Sequence, residues 1–249
     1  MSLATPILSA PNLGLVAMDD ARNASTWLGE GFSAEDSQKL AECAEWTATF
    51  PLKRVKKRRR VEAICPMVEP SLAAKGMWVS AVNLNEREPA LSDLDTLLLK
   101  AAATFEENIR TEDPRLRCLI LMLPGVRGQR LLDATEPERK IKDTLLKRGI
   151  LAGEFFPSCP FATTFNPRLF ALRSPVPMYV LRTFIETDWR FICQVPKWQE
   201  TYRERFGEPP AKLRHMGSFS WRMRQKVNRK VDSLLVKLFP ERGKEVELD

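Results

Sequence analysis

The chain contains a single histidine, His215, and this scarcity excludes several classes of catalytic site. One imidazole cannot build a site of two histidines and a carboxylate for iron, or a three-histidine site for zinc. Serine or cysteine catalysis with a histidine base would have to use His215 itself. Sites that need several imidazoles are therefore excluded for a single copy of the chain.

Paired cysteines and long apolar runs are absent as well. The five cysteines are widely spaced and form no Cys-x-x-Cys pair, which argues against a disulfide framework and against a zinc ribbon. No apolar run approaches the roughly 18–20 residues that span a bilayer. The N-terminus lacks the basic start and apolar core of a secretory signal. We therefore expect a cytoplasmic chain with reduced thiols and no membrane insertion.

Residue periodicity predicts an α+β fold, with a small central β-sheet flanked by helices and a helical C-terminal cap. Residues 1–32 are expected to form a loosely ordered arm, and residues 33–249 a single domain. Ser33 and Ser92 are predicted N-caps. Helices are predicted at residues 33–50, 92–105, 136–148, 197–206 and 218–240. Strands are predicted at residues 76–84, 115–125, 150–156 and 176–185.

Basic residues are concentrated in one block of the sequence. Seven lysines and arginines occur from Lys53 to Arg60, in a chain with a formal net charge of +7. Such a block could bind nucleic acid, bind an anionic small molecule, or form a solvated surface. Because no aromatic residue interrupts it, as aromatics often do in nucleic-acid modules, we favour a solvated surface over nucleic-acid binding.

Two segments resemble a known bacterial family. CPMVEPSLAAKGMWVSAV, from Cys65, is similar to a recurring Cys-Pro-Phe-Val segment that precedes a Gly-aromatic strand. LLKRGILAGEFFP and NPRLFALRSPVPMYVLRTFIETDWRFI are similar to its later Gly-Glu-Phe, Asn-Pro and Ser-Pro-x-Pro-Met pattern. The family is the domain of unknown function numbered 6875, and the resemblance covers residues 60–206, with Met67 as a departure. It implies a shared fold but no established activity.

A more distant resemblance is to the YqcI/YcgG family, which includes haem-dependent N-oxygenases of small-molecule biosynthesis. The order of Cys-Pro segment, strands and proline-rich segment is similar, and RHMGSF resembles its C-terminal His-and-Gly segment. This resemblance implies a haem cofactor, with His215 as axial ligand, Cys65 as the second choice and Arg214 near a propionate. The structural alternative is a surface histidine and a buried cysteine.

Residues 153–179 contain five X-Pro steps together with several phenylalanines. Proline has no backbone donor, so such a segment can lie against a pocket without leaving many unpaired N–H groups. We predict that residues 156–177 form one wall of a ligand pocket, although they could instead only cover the edge of the sheet. The predicted substrate contacts in this wall are Phe156, Phe161, Asn166 and Arg173.

Three residues are candidate catalytic groups: Glu154 and Asp188 as acids, and Cys65 as a nucleophile or ligand. Arg182 is the candidate anchor for a substrate carboxylate. Because Glu154 and Arg182 lie on predicted buried strands, we expect Arg182 to face the proline-rich wall, with Glu154 or Asp188 as its ion partner. Cys65 and Cys159 could also be plain buried thiols.

These observations predict a small-molecule-handling biosynthetic enzyme with its pocket between the sheet and residues 156–177. Whether it is oxidative and haem-dependent is left open. One alternative is a cofactor-free cyclase or isomerase that works through Glu154 or Asp188. Another is a non-catalytic protein that binds anions or nucleic acid through the basic block. The expected partner is a small-molecule substrate, whose identity the sequence does not give, and the oligomeric state is left open.

Overall fold

The computed structural model describes residues 13–57, 60–84, 88–163, 166 and 168–214. The chain divides into two compact units, Met1–Glu186 and Thr187–Asp249. The first unit contains a five-stranded mixed sheet with flanking helices, and helices also occupy the described C-terminal region, which confirms the predicted α+β class. In the ranges given above, no helix is both long and apolar enough to cross a bilayer.

The elements of the first unit follow in chain order. They are β1 (Val16–Ala17), α1 (Met18–Ala21), α2 (Ala24–Gly29), α3 (Ala34–Thr49), β2 (Arg54–Lys57), β3 (Arg60–Ala63), α4 (Val68–Ala73), β4 (Met77–Ala81), α5 (Leu91–Asn108), β5 (Cys118–Met122), α6 (Gly128–Ala134), α7 (Ile141–Lys147), β6 (Ile150–Phe155) and β7 (Met178–Thr183). Short 3-10 helices lie at Phe50–Leu52, Pro114–Leu116 and Glu186–Asp188. The second unit contains α8 (Trp189–Ile192), α9 (Pro196–Phe206) and α10 (Ala211–Arg214).

The main sheet has the strand order β1-β4-β5-β7-β6. Strands β4 and β5 are parallel, and the other neighbouring pairs are antiparallel. The central strand β5 is a continuous apolar run, CLILM, and all five of its residues are buried. A run of this kind fits a strand covered on both faces.

Side chains of β5 alternate between two hydrophobic clusters. Leu119 and Leu121 pack in the cluster that contains the apolar stripe of α5, whereas Ile120 and Met122 pack in the cluster that contains α3. The period of two in a strand explains this division. The predicted stripe of α5 is confirmed, because Leu94, Leu97, Leu98, Ala101 and Phe105 are all fully buried.

The helix starts were predicted with mixed success. Ser33 caps α3, since its Oγ accepts a hydrogen bond from the backbone N–H of Asp36 at 3.1 Å. The predicted cap Ser92 is wrong, because it lies inside α5, which begins at Leu91. Helix α7 begins at Ile141 rather than at residue 136, since the chain after the preceding helix first forms turns around Pro137.

The N-terminal prediction also needs correction. Residues 13–32 form β1, α1 and α2, with Val16 paired with Val79 of β4 and Trp27 only 1% exposed. Trp27 Nε1 donates to the Ala21 carbonyl at 2.8 Å, so burial of this indole holds the segment in place. For residues 13–32, these elements replace the loosely ordered arm that the sequence predicted. Residues 1–12 and the predicted helix at residues 218–240 lie outside the described residues.

Candidate functional site

Glu154 and Arg182 lie on opposite faces of the main sheet. Glu154 pairs in register with Tyr179, which packs in the cluster on the α5 side, whereas Arg182 pairs with Cys118, which packs on the α3 side. Tyr179 and Arg182 are an odd number of positions apart on β7, so their side chains project to opposite faces. The predicted ion pair between Glu154 and Arg182 is therefore wrong.

The ion partner of Glu154 is Lys142 of α7. Lys142 Nζ lies 2.9 Å from Glu154 Oε1, and both side chains are only 13% exposed. A charge removed from water needs such a partner, since leaving it unpaired is costly. This contact gives Glu154 a structural role between α7 and the sheet.

The proline-rich segment is fixed near the start of β7. The backbone N–H of Leu123 donates to the Pro177 carbonyl at 2.8 Å, and that of Phe156 to the Leu172 carbonyl at 3.1 Å. The Phe156 side chain is buried against Gly128, where an added Cβ would lie 2.1 Å from the phenyl ring. These contacts place the segment at the Met122 end of β5. Arg182 pairs with Cys118 at the other end, so the prediction that it faces this wall is wrong.

The polar residues of this segment mainly contact the segment itself. Asn166 Oδ1 accepts from the backbone N–H of Arg168 at 2.9 Å, an arrangement that stabilises a turn. Arg173 is exposed, donates from Nε to the Cys159 carbonyl at 3.0 Å and stacks 3.7 Å above the Phe170 ring. Phe161 is partly buried. Substrate binding by Asn166, Arg173, Phe156 and Phe161 stays a prediction.

The predicted site residues Cys65 and Arg182 both act on Cys118, which lies at the opposite end of the sheet. Cys118 pairs in register with Arg182. Both Arg182 and Cys65 influence the pKa of the Cys118 thiol. Cys65 follows β3 and is held by its backbone N–H, which donates to the Pro51 carbonyl at 3.0 Å. Pro51 lies in the 3-10 helix after α3, so this contact fixes Cys65 next to the end of α3.

Accessibility separates Cys65 from the other four cysteines. Cys65 is partly exposed, whereas Cys43, Cys118, Cys159 and Cys193 are buried. Burial raises the pKa of Cys43 and of Cys118 to about 12, and that of Cys159 to about 11. At Cys118, the Arg182 cation opposes this rise and Cys65 adds to it. The buried thiols therefore stay protonated at neutral pH and are poor nucleophiles.

Asp188 and His215 are the two remaining candidates, and the predicted ion pair between Arg182 and Asp188 stays a prediction. Asp188 is 1% exposed and belongs to the second unit, where it precedes α8. His215 lies outside the described residues, so its role as a haem ligand stays a prediction. In the part of the chain that the structure describes, no three His, Cys, Asp or Glu side chains come together as a metal site.

Two paired strands in the region of the basic block were not predicted from the sequence. Strands β2 and β3 pair antiparallel as a separate two-stranded sheet, with Lys56 opposite Val61 and Arg54 opposite Ala63. We call Lys53 together with β2 and β3 the basic ribbon. Val55 and Val61 are the signals for strands in this block, but the surrounding charges obscure their pattern.

Two aromatic residues lie at the base of the basic ribbon. Trp46 of α3 stacks on Phe50, with ring centroids 4.9 Å apart and ring planes inclined by 12°. Lys53 Nζ lies 5.6 Å from the centroid of the Phe50 ring. Both aromatic side chains are only partly buried. Two partly buried aromatic residues thus lie beside the start of the basic ribbon, one at the end of α3 and one in the 3-10 helix that follows it.

Comparison with known proteins places the chain in one family. No curated protein and no solved structure matches this chain. The link to the YqcI/YcgG family therefore stays a prediction. A family model described as a domain of unknown function (DUF6875) matches residues 40–216, which is more than half of the sequence and includes both the basic ribbon and the Cys65–Cys118–Arg182 group. The chain belongs to the DUF6875 family.

Proposed function

We propose that this chain is a small-molecule-handling enzyme whose substrate binds beside Cys65, Cys118 and Arg182. The supporting observation is that Arg182 pairs in register with Cys118, and that Cys65, far from both in sequence, also influences the pKa of the Cys118 thiol. This moves the proposed site from the proline-rich segment to the opposite end of β7. Glu154 then has a structural role, since it is paired with Lys142.

Arg182 selects the class of substrate. Its side chain is partly buried in a row with Met77, Cys118 and Leu151, each of which is under 9% exposed. Apolar neighbours lower the local dielectric and so strengthen the attraction of a guanidinium for an anion. The planar guanidinium also matches the two oxygens of a carboxylate or phosphate. The substrate is therefore a small carboxylate or phosphate ester.

Cys65 is the reactive group of this site. Cys65 is partly exposed, whereas Cys118 is buried, so of the two residues Cys65 is the one open to a substrate. A cysteine sulfur can attack an electrophilic substrate or ligate a metal. Cys118 contributes to the apolar floor of the site and not to the chemistry, because burial raises its pKa to about 12.

A thermal-shift screen with small carboxylates and phosphate esters tests the proposal. Compounds that raise the melting temperature of the wild type should fail to do so for Arg182→Gln, because the variant lacks the cation. Arg205→Gln is the matched control, since Arg205 is an exposed arginine of α9 that belongs to none of the predicted binding residues. Equal stabilisation of Arg182→Gln and the wild type would show that the anion site lies elsewhere.

A haem cofactor at this site is a separate part of the proposal. Among the described residues, Cys65 has the accessible sulfur that thiolate ligation of iron requires. The chain is purified after expression with a haem supply, and its absorption spectrum is recorded. A Soret band that disappears in Cys65→Ala supports Cys65 as ligand, and one that disappears only in His215→Ala assigns the ligand to His215. The absence of any band removes haem and leaves the anion site.

A further inference from the structure

We infer that the basic ribbon and the Trp46–Phe50 stack together bind single-stranded nucleic acid. This function is separate from the small-molecule site and does not depend on it. The inference rests on two observations: the charge on one face of the ribbon, and the position of the aromatic pair at its base.

One face of the basic ribbon carries cations and no acid. Arg54 and Lys56 are exposed and alternate along β2, so they project to the same face, which they share with Val61. Glu62 is adjacent to Val61 on β3 and projects to the other face. Within the described ranges, neither Arg54 nor Lys56 forms an ion pair. Their charges are therefore available to phosphates.

The aromatic pair distinguishes single strands from other polyanions. Proteins that bind single strands combine a basic surface along the backbone with aromatic side chains on which bases stack. Phe50 and Trp46 are partly exposed, and Phe50 lies next to the first cation of the ribbon, Lys53. In a duplex the bases already stack on one another and are not free to pack on these rings. The surface therefore fits an unpaired strand better than a duplex.

Fluorescence anisotropy with a labelled oligothymidylate measures the contribution of the charges. The double variant Arg54→Glu/Lys56→Glu should bind at least about tenfold more weakly than the wild type, because it replaces two phosphate contacts with repulsion. The slope of log affinity against log salt should also fall by about 1.4, since each phosphate contact on a single strand contributes about 0.7. The matched control is Lys140→Glu/Lys147→Glu, which changes the net charge equally at exposed lysines before and within α7.

A second variant measures the contribution of stacking. Phe50→Leu keeps an apolar side chain at the base of the ribbon but removes the ring, so binding should weaken about fivefold or more. The salt slope should stay unchanged, because no cation is removed. Circular dichroism of each variant shows whether α3 and the sheet are retained.

Three outcomes with nucleic acid alone would overturn the inference. These are no binding of the wild type at about 50 mM salt, equal binding by the ribbon variant and the Lys140→Glu/Lys147→Glu control, or a duplex of the same length bound as tightly as the single strand. Vesicles of phosphatidylserine are the competing polyanion. If they displace the oligonucleotide from the wild type at equal concentrations of phosphate groups, the ribbon is a general anion surface and the inference fails.

Discussion

At the scale of single residues, the Lys142–Glu154 ion pair decides what Glu154 does. The two side chains lie 2.9 Å apart and are each 13% exposed. Removing one partner leaves the other charge in surroundings that hold little water. A residue in this position is more important for stability than for chemistry.

A double-mutant cycle on Lys142 and Glu154 tests this role. Glu154→Ala and Lys142→Ala should each lower the free energy of unfolding by about 3 kcal/mol, because each removes an ion partner of a charge that is largely shielded from water. The double variant Lys142→Ala/Glu154→Ala should lose less than the sum of the single changes. Urea unfolding measures the free energy of unfolding of the two single variants and of the double variant. Normal stability of Glu154→Gln combined with loss of catalytic turnover would instead show a catalytic Glu154.

At the scale of elements, two serines that look alike in sequence differ in structure. Ser33 Oγ accepts a hydrogen bond from the Asp36 N–H and donates one to Asp36 Oδ2 at 2.8 Å, which caps α3. Ser92 is exposed and lies within the first turn of α5. The two serines therefore make a matched pair for measuring the cap.

Ser33→Ala should lower the free energy of unfolding by about 1 kcal/mol, because the first turn of α3 loses its side-chain acceptor. Ser92→Ala should change it by less than about 0.5 kcal/mol, since alanine is a better helix former at an exposed helical position. Denaturant unfolding of both variants provides the comparison. A larger loss for Ser92→Ala than for Ser33→Ala would contradict the cap assignment.

The elements that the sequence predicted correctly are those with one dominant pattern. Strand β5 is a continuous apolar run and α5 has an uninterrupted stripe, so hydrophobic periodicity locates both. The basic ribbon was missed because its strands contain mostly charged residues. Val55 and Val61 are the only residues of β2 and β3 with a high strand propensity. The charged residues of this block therefore led to the prediction of a solvated surface and not of paired strands.

At the scale of the whole molecule, the arrangement of the site depends on strand register. Cys65 and Arg182 were both selected by their sequence segments, but it is the register of β5 and β7 that pairs Arg182 with Cys118, the thiol whose pKa Cys65 also influences. The same register separates Arg182 from Glu154. Register between strands distant in sequence is a tertiary property, so local patterns predicted the site residues without their grouping.

Buried thiols also make the stability of the whole fold depend on alkaline pH. The pKa of both Cys43 and Cys118 is raised by burial from 9.0 to about 12. Their contribution is fully present below about pH 9, and it falls as the pH rises from about 9 to 12, because the unfolded chain releases these protons first. Cys43→Ala should therefore show a shallower decline in the free energy of unfolding over this interval.

Ser37→Ala is the control for that measurement, since Ser37 is also a buried residue of α3 but carries no titrating group. The free energy of unfolding of Ser37→Ala should decline with rising pH as steeply as that of the wild type. A decline in Cys43→Ala as steep as in the wild type would show that the Cys43 thiol titrates normally in the folded chain.

Selective labelling of Cys65 by iodoacetate and iodoacetamide shows whether Arg182 acts at that thiol. Both reagents should modify Cys65, because it is the partly exposed cysteine, and Cys65→Ala should abolish the fast reaction. In the wild type, the Arg182 cation should favour the anionic reagent, and Arg182→Gln should lower the ratio of iodoacetate to iodoacetamide rates about twofold to threefold. Arg205→Gln should leave the ratio unchanged. An unchanged ratio in Arg182→Gln would show that Cys65 and Arg182 do not share a site.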